Sequence, residues 1–360
     1  MLVLRDETEL KETTEAGGLE ALRPAWEALW HAVEDSTPFQ FPGWLIPWWR
    51  HLGQGKLQCL SFWQGEQLCG LAPFYIYTRP ADGKRQLLLL GSGNSDYLDI
   101  LVRPGHEPFV LNHLGAWLAA SQDRWDLAEF FQLRPSSPLR RLPLSRLSCE
   151  FSEDVALQDC CPALALPAAP QDHWDFFQKP CFTKLDYYWR RAARTCTVQI
   201  QSSDLESLEM SLDALIHFEE TRWSQRGLQS VLNDPATQRF HRVACYNFCA
   251  AGLLRVYTLH LDSRIVAVFY GFHHRTHTYF YLAGFDVEFS KVSPGKLILA
   301  HAIERAVREG ATVFDFLRGR EAYKYEWGAE DTPAFRRALW VKNREVGYEH
   351  SPSGHQTRCL

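Results

Sequence analysis

Apolar positions in the first half of the chain recur with either helical or strand spacing. From Leu19 to Val33 they lie three or four residues apart, which predicts a helix over residues 18–33. Two apolar runs, 57–63 and 68–77, flank the turn Gln64-Gly65-Glu66 and predict a β-hairpin. The same patterns predict the other elements of this half, which are strands at 2–5, 86–90 and 127–131, a short helix through Trp48 and Trp49, and a helix at 107–121.

The second half repeats this alternation of strands and helices. The predicted elements are helices at 182–194, 204–226 and 294–309 and strands at 254–261, 265–272, 278–285 and 312–317. Between the halves, Pro162, Pro167 and Pro170 favour a connector over residues 152–171. Because strand–helix–strand order occurs in both halves, the sequence predicts an α/β fold built from two similar units.

Length and composition are consistent with two globular domains. A chain of 360 residues is too long for one core of ordinary size, and 46% apolar with 22% charged residues is typical of folded proteins. We therefore expect an N-terminal domain over 1–160, a C-terminal domain over 161–345 and a tail at 346–360. The turn Asp96-Tyr97-Leu98-Asp99 is interpreted as a structural loop, with a second catalytic centre as the alternative.

Charge and cysteine usage narrow the function classes. A formal net charge of −5 provides no overall attraction for nucleic acid, although a local basic patch stays open. The first seven residues do not resemble a signal peptide, and no apolar run of about 18 residues predicts a membrane span. Ten dispersed cysteines without a CxxC pair are typical of reduced thiols. These observations predict a cytoplasmic protein without a metal site.

The run Ser293-Pro294-Gly295-Lys296 contains the first candidate chemistry. Serine is a favourable N-cap, proline suits the first helical position, and Gly310 ends the predicted helix. The helix dipole disfavours the Lys296 cation in the first turn, whereas an anion bound to the free N–H groups would reverse that effect. The sequence therefore indicates either an anion site or a solvated lysine.

Asp315 is the second candidate. Strand alternation places this carboxylate between Val313 and Leu317 on one face, where an unpaired charge is costly. It pairs either with a nearby cation, such as Arg318, Arg320 or Lys324, or acts as an acid with a raised pKa beside a substrate.

Several segments together resemble one enzyme group. They are Phe39-Gln40-Phe41 with Trp44, Leu90-Gly91 with Asp96-Tyr97-Leu98-Asp99, Phe218-Glu219-Glu220-Thr221-Arg222-Trp223, Phe289 to Gly295, and Phe314 to Lys324. In this order and spacing they resemble the GNAT branch of cellulose-biosynthesis-type (CelD/BcsL-like) acetyltransferases, and also the FemAB-type transferases with two GNAT-like units. The resemblance implies two tandem GNAT-like units, each with a mixed, mostly antiparallel sheet flanked by helices.

The resemblance also implies an acyl-CoA-dependent acyltransferase that transfers groups other than aminoacyl groups. Acetyl-CoA or another acyl-CoA is the expected co-substrate, and its pyrophosphate would bind at Lys291, Ser293, Pro294, Gly295 and Lys296. A backbone N–H from strand 278–285 would polarise the thioester carbonyl. The expected catalytic groups are Asp315 or Glu321 as the base and Tyr323 as the acid for the departing thiolate.

The acceptor and partners stay less defined. The candidate acceptor contacts are Glu219, Trp223 and Lys324, and the expected acceptor is an amine of a small molecule, a sugar or a cell-envelope precursor. The basic run is either a solvated helix face or a tRNA contact, and its members are Lys179, Lys184, Arg190, Arg191 and Arg194. The alternatives are a FemAB-like aminoacyl-tRNA-dependent transferase and a non-catalytic GNAT-like binding module.

Overall fold

The computed structural model describes residues 8–143, 151–168, 173–225 and 227–342. These residues form two compact α/β units. Unit 1 contains the described residues from 8 to 159 together with 333–342, and unit 2 contains those from 160 to 332. Two strands cross the boundaries, namely β7 (Phe151–Ala165) and β13 (Glu330–Val341).

Unit 1 is a mixed sheet with helices, in the strand order β1-β2-β3-β4-β6-β13, with β5 paired to β3. Its other strands are β1 (Thr8–Thr13), β2 (Lys56–Gln64), β3 (Gln67–Thr78), β4 (Arg85–Leu89), β5 (Leu101–Val102) and β6 (Leu127–Leu133). Its helices are α1 (Ala16–Ala32), α2 (Pro42–Leu52), α3 (Glu107–Ala120) and α4 (Pro138–Arg141). Every pairing is antiparallel except that of β4 with β6.

Unit 2 has the strand order β7-β12-β11-β10-β9-β8. Its other strands are β8 (Val198–Ser202), β9 (Leu254–Leu261), β10 (Arg264–His274), β11 (His277–Phe285) and β12 (Val313–Asp315). Its helices are α5 (His173–Phe177), α6 (Pro180–Thr183), α7 (Leu185–Ala193), α8 (Leu208–Ser224), α9 (Pro235–Ala250), α10 (Pro294–Arg308) and α11 (Ala322–Glu326). The pairing of β11 with β12 is parallel and the others are antiparallel.

The two halves of the chain repeat the same order of elements. A strand, two helices, three antiparallel strands, a helix, a strand, a short helix and a final strand follow one another from β1 to β7, with the two-residue strand β5 added before α3, and again from β8 to β13. The final strands are exchanged, because β13 pairs with β6 in unit 1 and the end of β7 pairs with β12 in unit 2. The two similar units predicted from the sequence are confirmed, and each contains a mixed, mostly antiparallel sheet.

Both cores are rich in aromatic side chains. In unit 1 the indoles of Trp26, Trp30 and Trp44 are fully buried. Their N–H groups donate to Gln40 O, Thr37 O and Ser95 Oγ over 3.0, 2.7 and 2.8 Å, respectively. In unit 2 the apolar face of α10 packs on β9, β10 and β11. This packing fixes the position of the α10 N-terminus relative to β11.

One sequence prediction is wrong, a second differs in its bounds, and a third lies outside the described residues. Residues 152–165 belong to strand β7 rather than to a connector, since Pro162 still offers its carbonyl to Phe316 N at 2.9 Å. The helix predicted at 182–194 is two helices, α6 and α7. The strand predicted at 2–5 lies outside the described chain.

Candidate functional site

Strands β11 and β12 separate soon after they pair. Their parallel register runs from His277 with Val313 to Tyr279 with Asp315, only three residue pairs. Strand β11 continues to Phe285 and still pairs with β10 on its other side. Within the described chain, residues 280–285 therefore have one edge without a partner strand. The backbone groups along such an edge are available to an extended ligand.

A cavity of about 400 Å³ opens beside this edge. Its walls come from β11, from the N-terminus of α10 and from α11, together with one side chain of α8. The lining residues are Arg222, Phe280, Ala283, Phe285, Ser290, Ser293, Pro294, Gly295, Lys296, Leu299, Tyr323 and Trp327. The only charged side chains among them are two cations, so the cavity favours an anionic or polar ligand with an apolar part.

The start of α10 differs in detail from its sequence prediction. Ser293 is the N-cap, but its backbone is left-handed with φ 53° and its side chain makes no capping hydrogen bond. Its carbonyl accepts from Lys296 N and Leu297 N at 3.0 and 3.2 Å, and its own N–H donates to Ser290 O. Pro294 has no N–H. Within the described chain, only the Gly295 amide of this first turn is left to bind an anion.

Two lysines near this helix start are exposed. Lys296 lines the cavity, and its Nζ contacts Glu326 Oε2 at 2.7 Å. Lys291 lies in the 3-10 turn Val287–Val292 but does not line the cavity. Since an exposed ion pair contributes little, a bound phosphate would compete readily with Glu326 for Lys296.

A buried polar group lies on α8. Arg222 lines the cavity and its Nη1 is 3.6 Å from Glu219 Oε1. The other oxygen of Glu219 accepts a hydrogen bond from Trp223 Nε1 at 3.0 Å. The predicted contacts Glu219 and Trp223 therefore orient Arg222, which sequence reasoning missed. The available signal was the i,i+3 spacing of Glu219 and Arg222 on one helix face.

The loop after β12 is held together by its own charged groups. Asp315 is buried, and its Oδ1 accepts from Leu317 N at 2.8 Å. Lys324 is also buried and its Nζ makes four contacts, with Leu317 O at 3.1 Å, Arg318 O at 2.8 Å, Gly319 O at 3.1 Å and Glu321 Oε2 at 2.9 Å. None of the three charged side chains Asp315, Glu321 and Lys324 lines the cavity.

Tyr323 and Trp327 form the wall of the cavity that follows this loop. The Trp327 ring is buried and packs against Phe182 of α6, with ring centroids 5.3 Å apart. Tyr323 contacts Phe316 edge-on. Of the three predicted catalytic residues, only Tyr323 is placed in the cavity.

This geometry agrees with one family comparison. Residues 181–325 match the family model described as "Acetyltransferase (GNAT) domain". The segment is GNAT-like. It contains α7 to α11 and therefore every residue that lines the cavity except Trp327. Among curated proteins, none matches the sequence significantly.

Several solved structures share the fold over nearly the whole chain. FemX superposes with a TM-score of 0.64 at 10% identity, covering 93% of this chain and 98% of its own. L-PGS from Bacillus licheniformis gives 0.56 at 12% identity, with 94% and 96% covered. A conserved protein of unknown function from Bacteroides thetaiotaomicron gives 0.55 at 14% identity, with 92% and 100% covered. At such low identity these similarities establish the fold alone.

Three further observations concern the described residues. Burial lowers the pKa of His301, on α10, to about 4, so its imidazole is neutral at physiological pH, and it does not line the cavity. Among the described residues, no group of three or more His, Cys, Asp or Glu side chains is arranged to hold a metal ion. The described helices include none with the length and apolar character needed to cross a membrane.

Proposed function

We propose that the protein is an acyl-CoA-dependent N-acyltransferase that acylates an amine of a small molecule, a sugar or a cell-envelope precursor. The observation that carries the proposal is the separation of β11 from β12 beside the 400 Å³ cavity. An extended thioester would lie along the free edge of residues 280–285. Such positioning of two substrates supplies much of the rate of a direct transfer.

Individual roles follow from the cavity. A backbone N–H of residues 280–285 would polarise the thioester carbonyl, and the Tyr323 hydroxyl would protonate the departing thiolate. The Gly295 amide and Lys296 would bind phosphate of the donor, with Ser293, Pro294 and Lys291 shaping that loop. Asp315 or Glu321 as base, Lys324 as acceptor contact, the domain limits 1–160 and 161–345, and the CelD/BcsL-like branch stay predictions.

Donor binding can be tested without knowing the acceptor. Acetyl-CoA, longer acyl-CoAs and free CoA should raise the melting temperature, because a ligand that binds only the folded state stabilises it. Gly295→Asp places a carboxylate where the phosphate would bind, and Gly295→Ala is its uncharged control. Both add a Cβ that meets the Phe285 ring at 3.2 Å. The proposal requires the shift to disappear in the aspartate variant and persist in the alanine variant.

One observation favours a second candidate, aminoacyl-tRNA-dependent transfer. With a single amide left at the α10 start, the site offers less to a pyrophosphate than helix N-termini that bind one usually do. Under this candidate no CoA species shifts the melting temperature, and aminoacyl-tRNA binds with strong salt dependence. Lack of binding by either donor would instead favour a non-catalytic module.

A further inference from the structure

Helix α7 exposes an unusual combination of side chains. It is nine residues long, and only Leu185, Tyr188 and Ala192 pack toward the core. Two large aromatic side chains point outward, since Tyr187 is 60% and Trp189 40% exposed. Exposed tryptophan and tyrosine in soluble proteins usually mark a surface that contacts another phase or molecule.

The same surface is positively charged although the chain is negative overall. From residue 173 to 197 there are five cations, which are Lys179, Lys184, Arg190, Arg191 and Arg194, against two acids, Asp175 and Asp186. Arg190 is paired with Asp186 across 3.4 Å. Lys184, Arg191 and Arg194 make no ion pair with any described residue. These three cations are therefore available to an anionic partner.

This surface adjoins the elements of the cavity. Helix α7 packs on α10, whose N-terminus lines the cavity, and on the 3-10 turn Val287–Val292. That turn contributes Ser290 to the cavity wall and carries the exposed cation Lys291. A partner bound on α7 would therefore lie next to two of the elements that line the cavity.

We infer that α7 is a docking surface for an anionic phospholipid bilayer, with Tyr187 and Trp189 entering the headgroup region and Lys184, Arg191 and Arg194 contacting lipid phosphates. Tryptophan and tyrosine are enriched at the bilayer interface, and clusters of Lys and Arg are attracted to anionic lipid headgroups. The surface would bring the cavity to acceptors anchored in the membrane. This role in bringing the cavity to its acceptors rests on the proposed function. Lipid binding itself requires neither a bound acyl donor nor catalytic turnover, so it can be measured independently.

A nucleic acid fits these observations less well. Nucleic-acid binding grows with the number of phosphates that a protein neutralises, whereas α7 and its two cap residues offer three cations outside ion pairs among the described residues. The overall charge of −5 opposes a more extended contact with a long polyanion. Two aromatic side chains within one short helix instead match the composition of interfacial helices.

The test is co-sedimentation of the full chain with vesicles of phosphatidylcholine, with and without phosphatidylglycerol. The wild type should bind the anionic vesicles and not the neutral ones. Arg191→Gln with Arg194→Gln should weaken binding by about 25-fold, at about fivefold for each cation near the surface. Tyr187→Ala with Trp189→Ala should weaken it by about tenfold through lost apolar burial.

Matched pairs on other helices of unit 2 serve as controls. Arg239→Gln with Arg308→Gln removes the same charge, and Val243→Ala with Tyr246→Ala removes exposed apolar area on α9. Both pairs should bind vesicles as the wild type does. Equal losses in test and control pairs, no binding of the wild type to anionic vesicles, or a preference for tRNA abolished by the α7 variants would each overturn the proposal. Acyl-CoA binding is measured separately, so failure of one does not imply failure of the other.

Discussion

In both repeats two parallel strands separate after a short pairing, but the surroundings of the separation differ. In unit 1 β4 pairs with β6 for two residues, from Gln86 with Leu127 to Leu87 with Ala128. In unit 2 β11 pairs with β12 for three. Most of the segment that follows β4 is buried, whereas the region after the β11–β12 pairing borders a cavity. The two halves therefore share a backbone plan, while local packing decides whether the segment after the separation lines a cavity.

In unit 1 the loop from Gly91 to Asp99 is tied down by α2. Trp44 Nε1 donates to Ser95 Oγ at 2.8 Å, and Trp48 Nε1 donates to Asn94 Oδ1 at 3.1 Å. Gly91 has φ +91°, and a Cβ there would lie 2.5 Å from Ser95 Oγ. This loop needs glycine at position 91, and Asn94 and Ser95 accept hydrogen bonds from the two indoles. The loop therefore presents a filled interior rather than a binding surface.

In each unit, a buried cation also stabilises the segment that follows the second of the two separating strands, which is β6 in unit 1 and β12 in unit 2. In unit 1, Arg337 donates to Leu139 O at 2.6 Å and to Leu142 O at 2.8 Å. In unit 2, Lys324 donates in the same way to three backbone carbonyls of the loop after β12. The two cations lie at different places in the repeat, so the same structural need was met twice by different residues.

The largest expected effect concerns these cations. Lys324→Met should lower the free energy of unfolding by about 4 kcal/mol, because three carbonyls and the Glu321 carboxylate lose a buried partner. Urea unfolding measures the change. Lys296→Met removes only an exposed pair and should cost under about 1 kcal/mol. Similar losses in the two variants would contradict a special role for Lys324.

Glycine substitutions test the difference between the Gly91–Asp99 loop of unit 1 and the cavity wall at Gly295 in unit 2. Gly91→Ala should destabilise the protein by about 3 kcal/mol through its positive φ and the contact with Ser95. Gly295→Ala should change stability by less than about 1 kcal/mol, because its backbone is helical and the nearest atom belongs to the Phe285 ring. Thermal or urea unfolding of both variants decides this. If Gly295→Ala were the more damaging, the open character of unit 2 would be in doubt.

The third prediction assigns catalysis to unit 2 alone. Once an acceptor is known, Tyr323→Phe should lower kcat by about 100-fold with little change in KM, as expected for loss of a general acid. Tyr97→Phe, in the filled loop of unit 1, should leave kcat unchanged. A rise in KM with unchanged kcat in the first variant would indicate that Tyr323 binds substrate without transferring a proton.

The smallest expected effect is a pH dependence of opposite sign in the two units. Burial raises the pKa of Asp99 in unit 1 from 3.8 to about 6. Its contribution to the free energy of unfolding is therefore complete below pH 3.8 and is lost as the pH rises through 6. Burial lowers the pKa of His301 in unit 2 from 6.5 to about 4, so its contribution is complete above pH 6.5 and is lost as the pH falls toward 4.

Urea unfolding at pH 4 to 7 separates these contributions. As the pH rises, the free energy of unfolding of Asp99→Asn should increase by about 2 kcal/mol relative to that of the wild type, because the asparagine cannot acquire the buried charge. His301→Gln should gain about 1 kcal/mol as the pH falls, a smaller figure because His301 is partly solvent-screened. Parallel pH profiles for wild type and variants would show that neither group titrates abnormally.

Local periodicity predicted much of the fold. The helix near Leu19, the hairpin around Gly65 and the strands β9 to β11 follow from the spacing of apolar residues, which burial on one face directly imposes. Strand β7 was missed because Pro162 is a strong breaker in sequence, although an intact carbonyl at that position still accepts a bond from Phe316. Helix α9 and strand β13 also received no prediction.

The candidate site was only partly predictable. The Ser293–Lys296 turn and Tyr323 were identified because capping residues and the resemblance mark them, and both lie in the cavity. The isolation of Asp315 from the cavity depends on a turn whose Leu317 has φ 58°, which no spacing rule specifies. Arg222 reaches the cavity only because α8 packs on β10 and β11, a tertiary contact.

The exchange of final strands has a consequence for biosynthesis. Unit 1 receives β13, whose Ala338 pairs with Glu129, about two hundred residues earlier. On the ribosome, β6 must wait with an unpaired edge until those later residues have emerged. The two units are therefore inseparable as independent products, because a gene split near residue 160 would leave each one without the strand that closes its sheet.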